Sequence, residues 1–356
     1  MTTSPSFDAS ELLRADLNKL LDRLPQNKHG ELIQLALTTL VRMSEEEIDR
    51  LDWKILNASL QDMERAFKTL YPYRHTRKIS IFGSARIPSG APEYQMAADF
   101  ARRVTELGFM VITGAGPGIM QAGNEGAGRE KSIGLNIQLP FEQGANPFIE
   151  GDRKLVHFKY FFTRKLFFLR ESDALALFPG GFGTLDETFE CLTLCQTGKS
   201  LPIPLVLIDH PGGNYWHDWL EYVQKQLLKR GLISAADFSL FTITDQLDEA
   251  CDIITRFYSA FHSCRYVGNR LVMRLNTEIS DEAVALLNQN FSDILVKGQI
   301  EKSHALPQEA QDMSIGKSRL LLHFNQRDLG RLYQMIHEIN RLAVEPSQEM
   351  PHPERK

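Results

Sequence analysis

Ala174-Leu175-Ala176-Leu177-Phe178-Pro179-Gly180-Gly181-Phe182-Gly183-Thr184-Leu185-Asp186-Glu187 runs from five apolar residues, through three glycines in four positions, to two adjacent carboxylates. The apolar run Ala174 to Phe178 reads as a buried strand, and a helical pattern follows from Leu185 to Cys195. Strand, glycine loop and helix make a phosphate-binding arrangement. Glycines let the backbone approach a ligand closely, so that amide N–H groups and the positive end of the helix dipole face an anion. Asp186 and Glu187 fall in the first helical turn, which sets an anion cradle beside a candidate base. A blander reading makes Thr184 the N-cap and Glu187 the N3 residue of a capping box, worth about 1 kcal/mol. A helix needs only a cap and not three glycines, so a close ligand is the better account of the loop.

The same alternation of strand and helix extends outward from this stretch. Toward the N-terminus it gives strands at Lys78–Gly83, Phe109–Thr113, Ser132–Leu139 and around Leu155–Phe158, with helices at Tyr94–Leu107, Ile119–Gly128 and Phe162–Arg170. After the loop come a strand at Ile203–Ile208 and a helix at Tyr215–Lys229. This pattern predicts an α/β fold, a doubly wound, Rossmann-like parallel sheet over residues 76–262. Residues 1–75 read as a helical segment. One stripe holds Leu12, Leu13, Leu17, Leu20, Leu21 and Leu24, a second holds Leu32, Leu35, Leu40 and Val41, and a third helix opens on a capping box at Ser44-Glu45-Glu46-Glu47. Residues 263–342 change texture to strand Arg270–Leu275, helix Asp281–Leu295, strands Ile300–Ala305 and Arg319–Phe324, and helix Asp328–Ile339. That βαββα order predicts a small α+β module with one antiparallel or mixed sheet and both helices on one face. The polar, proline-rich residues 343–356 are predicted to be disordered.

With 356 residues, 43% of them hydrophobic, the chain is long enough for more than one domain. A net charge of -5 gives no general electrostatic reason to expect nucleic acid or an anionic membrane as partner. The cysteines, Cys191, Cys195, Cys251 and Cys264, form no CxxC pair and suit a reduced chain better than a disulfide framework. No apolar run nears the ~20 residues of a membrane span, and the N-terminal MTTSPSFDAS lacks the regions of a signal peptide, so a cytoplasmic location is expected.

Thr197-Gly198-Lys199-Ser200 is not a Walker A site, because Thr193 stands where that motif requires glycine and a strand follows instead of a helix. Gly114-Ala115-Gly116-Pro117-Gly118-Ile119 fails the dinucleotide fingerprint at Ile119, so no cofactor is expected, although its glycines still set amides at a helix start. The histidines show no HExxH spacing, and no catalytic metal is predicted. On the helix Phe162–Arg170 the phenylalanines read as core. Arg164 and Lys165 read either as a solvated face or, if that helix packs beside the glycine loop, as cationic donors.

Taken together, the Pro179-Gly180-Gly181-Phe182-Gly183-Thr184-Leu185-Asp186-Glu187 signature (PGGxGTxxE) and the Arg164-Lys165 pair resemble the LOG (Lonely Guy) proteins. Phe82-Gly83-Ser84-Ala85 and Thr113-Gly114-Ala115-Gly116-Pro117-Gly118-Ile119-Met120 look like two further stretches of that family. Short members usually carry GGGxxGLM at the second of these, where this chain has Ala115 and Pro117. The resemblance covers roughly Ile79 to Asp209, so the chain looks like a long-form relative. It implies a nucleoside 5'-monophosphate phosphoribohydrolase, with AMP or a cytokinin nucleotide as substrate, no cofactor, and a homodimer or higher homo-oligomer. By the same resemblance, the 5'-phosphate lies on the amides of Gly180, Gly181, Gly183 and Thr184, with Ser84, Gly116, Met120 and Lys165 beside the nucleotide. Glu187 acts at the ribose and Arg164 assists departure of the base. The competing reading is a non-catalytic nucleotide or molybdenum-cofactor carrier on the same fold, which does not need the Glu187 and Arg164 pair. A lysine decarboxylase would want a pyridoxal-phosphate lysine, and no residue marks one.

Overall fold

The computed structural model describes residues 12, 15–16, 18–19, 29–137, 144–309 and 314–344. The first leucine stripe beyond Leu12, and the tail from residue 345, lie outside them. The chain divides into two compact units, Met1–Gln61 and Asp62–Lys356.

In the first unit, helix α1 spans Gly30–Ser44, and α2, Arg50–Leu70, begins. The capping box expected at Ser44 does not form. Ser44 ends α1, its hydroxyl donates back to the Val41 carbonyl at 2.7 Å, and α2 starts only at Arg50. A serine hydroxyl close to its own preceding turn satisfies that turn as readily as it caps a new one.

In the second unit, strands β1 (Lys78–Phe82), β2 (Met110–Thr113), β3 (Ser132–Ile137), β4 (Leu155–Phe158), β5 (Ala174–Leu177), β6 (Leu205–Ile208) and β7 (Thr242–Thr244) form one parallel sheet in the order β4-β3-β2-β1-β5-β6-β7. The register sets Ile79 opposite Val111 on one side and Ala174 on the other. Helices α3 (Pro92–Glu106), α4 (Ile119–Lys131), α5 (Phe161–Glu171), α6 (Phe182–Gln196), α7 (Tyr215–Val223) and α8 (Leu247–Phe257) cover it. Successive strand residues point to opposite faces, and both faces are buried. Ile79, Ile81, Val111, Ala176 and Val206 pack with Phe100 of α3, Ala122 of α4 and Ile254 of α8. Phe82, Ile112, Leu175, Leu177 and Leu207 pack with Phe167 of α5, Cys191 of α6, Trp216 of α7 and Leu70 of α2.

The remaining elements are β8 (Phe261–Val267), β9 (Arg270–Leu275), α9 (Asp281–Asn290), β10 (Leu295–Ser303), β11 (Ser318–Phe324) and α10 (Leu329–Val344). The four strands make an antiparallel sheet, β10-β11-β9-β8. Met273, Leu320 and Leu322 of this sheet share one core with Leu287 of α9 and Ile336 of α10, which puts both helices on one face. Three elements escape the sequence reading: β7, α8 and β8. β7 has only three residues, and β8 carries His262, Ser263 and Arg265 along a partly exposed strand, so neither presents an apolar run. The order of elements about this second sheet is therefore ββαββα. Its first helix stops at Asn290, because Leu295 already opens β10. The helix expected over Tyr215–Lys229 gives way at Gln224 to a π turn through Leu228.

Candidate active site

From β1 the strands β2, β3 and β4 are added on one side, and β5, β6 and β7 on the other. At this switch the helices after β1 and β5 pack on opposite faces of the sheet, the point at which open α/β sheets form a ligand crevice at the carboxyl ends of their strands. Direct bonds join the turns there. Ser84 N donates to the Pro179 carbonyl at 3.1 Å, and Ile119 N donates to the Ser84 carbonyl at 3.0 Å. Gly118 makes the second contact feasible with φ +67°, since a side chain there would run into the Ser84 backbone.

The loop glycines fall into two kinds. A Cβ on Gly180 would overlap the Thr184 side chain and stand 2.9 Å from Ser84 N, so this glycine is required by the protein itself. Around Gly181 and Gly183 a Cβ would meet nothing within 4 Å. Helix α6 has Gly181 as its N-cap, and its first backbone bond runs from Leu185 N to the Gly181 carbonyl at 3.1 Å. The amides of Phe182, Gly183 and Thr184 precede that bond and have no acceptor within the helix, at the end where the macrodipole is positive. This corrects the capping-box reading. Thr184 is already inside the first turn, and no side chain caps the helix. Behind the loop, Tyr215 Oη donates to the Gly180 carbonyl at 2.6 Å.

The turn after β2 supplies a second wall. A Cβ on Gly114 would stand 2.5 Å from Arg164 Nη2 and 2.6 Å from Met120 Sδ, and one on Gly116 would stand 2.7 Å from Met120 Cε. Arg164 and Met120 therefore close directly over this glycine turn. A buried network fixes it from beneath: Asn146 Nδ2 donates to the Gly116 carbonyl at 3.0 Å and to Asn124 Oδ1 at 2.9 Å, and Thr113 Oγ1 donates to the same oxygen at 2.7 Å.

Between α5 and α6 lies a cluster of charge. Lys165 Nζ contacts Asp186 Oδ2 at 2.8 Å, Glu187 Oε1 at 3.4 Å and Glu190 Oε2 at 2.6 Å. Burial works against its ammonium, yet the three carboxylates more than offset this and hold its pKa above the ordinary lysine value. Asp186 is mostly exposed, whereas the Glu187 side chain is only 14% exposed. Burial pushes the Glu187 carboxyl up, neighbouring Glu190 adds to this, and Lys165 and Arg164 pull it back only in part. A largely buried carboxylate with a raised pKa, set one turn beyond open helix-start amides, can exchange a proton nearer to neutrality than a free glutamate does.

The structure thus gathers Ser84, Gly116, Met120, Arg164, Gly180, Gly181, Gly183 and Thr184 around the crevice, with Lys165 and Glu187 at its flank. Sequence reasoning missed Glu190, Tyr215 and Asn146. Glu190 was within reach, because it lies three residues after Glu187 on the same helix face. Among the described residues no group of three or more His, Cys, Asp or Glu side chains is placed to hold a metal ion, and no helix is long and apolar enough to cross a membrane.

Fold and site together define a Rossmann-like α/β protein with a glycine-rich helix start beside a carboxylate cluster in which Glu187 is largely buried. Residues 118–254 match the family model described as "Possible lysine decarboxylase". The chain is 26% identical over 187 residues to a probable cytokinin riboside 5'-monophosphate phosphoribohydrolase of Oryza sativa subsp. japonica, a match covering 50% of this chain and 76% of that one. A second rice protein of the same description is 30% identical over 157 residues, covering 42% of this chain and 60% of that one. Among solved structures, the molybdenum cofactor carrier protein of Chlamydomonas reinhardtii matches with a TM-score of 0.36 at 18% identity, over 51% of this chain and 98% of that one. In motif, family model and curated relatives, the α/β part of this chain is similar to the LOG proteins.

Proposed function

We propose that the chain hydrolyses the N-glycosidic bond of a nucleoside 5'-monophosphate, AMP or a cytokinin riboside monophosphate, to free base and ribose 5-phosphate. The observation that carries this reading is the adjacency of the open α6 amides and the buried Glu187 carboxyl with its raised pKa. The 5'-phosphate rests on the amides of Gly181 to Thr184, helped by the Thr184 hydroxyl, and Ser84, Gly116 and Met120 line the nucleotide. The C1'–N bond breaks with its electron pair passing to the base nitrogen, while positive charge grows on C1' and the ring oxygen. The Glu187 carboxylate stabilises that charge and takes a proton from water, whose oxygen bonds to C1'. Glu187 gives its proton up to solvent and solvent delivers one to the base nitrogen, so that one water is consumed for each C1'–N bond broken. Arg164 polarises the base and assists its departure. Lys165 keeps Glu187 directed at the ribose. The descriptions of the two rice relatives support this reaction, and the assignment includes a cytoplasmic homodimer or higher homo-oligomer. A carrier that holds a nucleotide or a phosphorylated pterin without turnover needs the glycine seat alone and gives Glu187 no task.

The test is incubation of pure protein with a panel of nucleoside monophosphates, with chromatography of the released base. Release of base and ribose 5-phosphate is expected, and Glu187→Ala and Arg164→Ala should each lower kcat by about 100- to 10,000-fold with the fold intact. Tight binding without release would instead establish the carrier, and full activity in Glu187→Ala would sink the mechanism.

A further inference from the structure

The helix that carries Arg164 and Lys165 has no cap of its own, since Tyr160 at the N-cap makes no side-chain hydrogen bond to the first turn. The acceptor comes from α2, 101 positions ahead of Thr163. Asp62 is fully buried, and its Oδ2 accepts from Lys159 N at 3.0 Å, Tyr160 N at 3.3 Å and Thr163 Oγ1 at 2.9 Å. Its other oxygen accepts from Arg65 Nη2 at 2.5 Å. A carboxylate held by this many donors is fixed in direction, and it faces the positive end of α5. Further along α2, Phe67 packs edge-on against Phe167 of α5 with ring centres 5.2 Å apart. The start and the middle of α5 are therefore both set by α2, which lies outside the stretch that carries the LOG motifs. Arg164 directly follows Thr163, and its guanidinium closes over Gly114.

We propose that Asp62 is a positioning residue for Arg164, fixing the start of α5 and with it the place of the guanidinium over the Gly114 turn. The kinetic consequence rests on the hydrolase reading; the structural one does not. The phosphate seat is on α6 and is untouched by Asp62, so the two functions of the site should separate on mutation. A misplaced catalytic group loses rate far more readily than a remote contact loses ground-state binding.

The experiment compares the full chain with Asp62→Ala and Asp62→Asn. It reads kcat, affinity for ribose 5-phosphate, and hydrogen exchange of the Lys159 and Tyr160 amides. For Asp62→Ala, kcat should fall about 10- to 100-fold while ribose 5-phosphate affinity stays within about twofold, and exchange of both amides should quicken. Asp62→Asn keeps the shape and one acceptor oxygen and should recover much of kcat. A folded Asp62→Ala with unchanged kcat overturns the proposal, because a cap that matters only to stability would leave the folded enzyme as fast as before. Should the alanine variant fail to fold, Thr163→Val is read by the same criteria. If the unaltered chain turns over no nucleotide, the hydrolase reading falls and exchange alone decides: quickened amides support the anchor and unchanged ones overturn it.

Discussion

Glu187 stands 3.4 Å from Lys165, the longest of the three carboxylate contacts that Lys165 makes, while Asp186 and Glu190 take the shorter ones. The lysine is thus shared, and Glu187 receives too little of it to cancel its burial. If the carboxylate is the working form, activity should fall on the acid side with an apparent pKa above the ~4.3 of a free glutamate. Replacing Lys165 by Met removes a cation that lowers the Glu187 pKa, so the acid limb should move further up. Profiles of kcat/KM against pH for both proteins check this, and a limb moving down on loss of Lys165 would contradict it.

Gly180, Gly181 and Gly183 should respond differently to alanine. Gly180→Ala forces a backbone shift in the unliganded protein and should lower the unfolding midpoint. Gly183→Ala meets open space within a helical turn and should stabilise the chain by about 0.5–1 kcal/mol while weakening ribose 5-phosphate binding, because the new methyl occupies the approach to the amides. Calorimetric binding alongside thermal melts separates the two effects. Unchanged binding in both Gly181→Ala and Gly183→Ala would place the phosphate elsewhere.

Tyr215→Phe removes the hydroxyl that holds the Gly180 carbonyl at 2.6 Å. The expected cost is about 0.5–1.5 kcal/mol of stability. Ribose 5-phosphate affinity should weaken several-fold as the loop loosens, with the kcat of saturated enzyme little changed, and titration calorimetry with steady-state kinetics measures both.

Glu309 in the C-terminal module is buried between two arginines. Its Oε1 accepts from Arg274 Nη2 at 2.6 Å, and its Oε2 accepts from Arg319 Nε at 2.9 Å. Burial pushes its carboxyl up, but Arg274, the Leu306 amide and Arg319 outweigh this and bring it below the ordinary value. A depressed carboxyl contributes stability that is present above its unfolded pKa, about 4.3, and is lost as pH falls through the lower folded value. Glu309→Ala leaves two buried guanidiniums without their carboxylate and should cost about 3–5 kcal/mol, read from denaturant unfolding at neutral pH. In Glu309→Gln the acid sensitivity of the module should shrink.

The central strands were legible because burial on both faces turns them into continuous apolar runs, as in Lys78–Phe82 and Ala174–Leu177. The glycine loop was legible because few other demands place three glycines in four positions at a helix start. Ser44 and Thr184 misled for a common reason. Each has a cap-forming side chain at a plausible spacing, but the helices begin elsewhere, at Arg50 and Phe182, under tertiary packing that spacing does not encode. The bonds from Asp62 to α5 and from Tyr215 to Gly180 join residues 97 to 101 and 35 positions apart, and no local pattern announces them.

β1 takes β2 on one edge and β5 on the other, and the second pairing spans 95 positions from Lys78 to Asp173. Closing so long a loop is slow, and during synthesis β1 and β2 emerge well before β5. Until Ala174–Leu177 arrives, the apolar edge of Ile79, Ile81 and Phe82 is an open template for pairing with another nascent chain. The strand arrangement that creates the crevice therefore also marks the most aggregation-exposed moment in the making of this protein, and polypeptides truncated ahead of residue 174 should be insoluble.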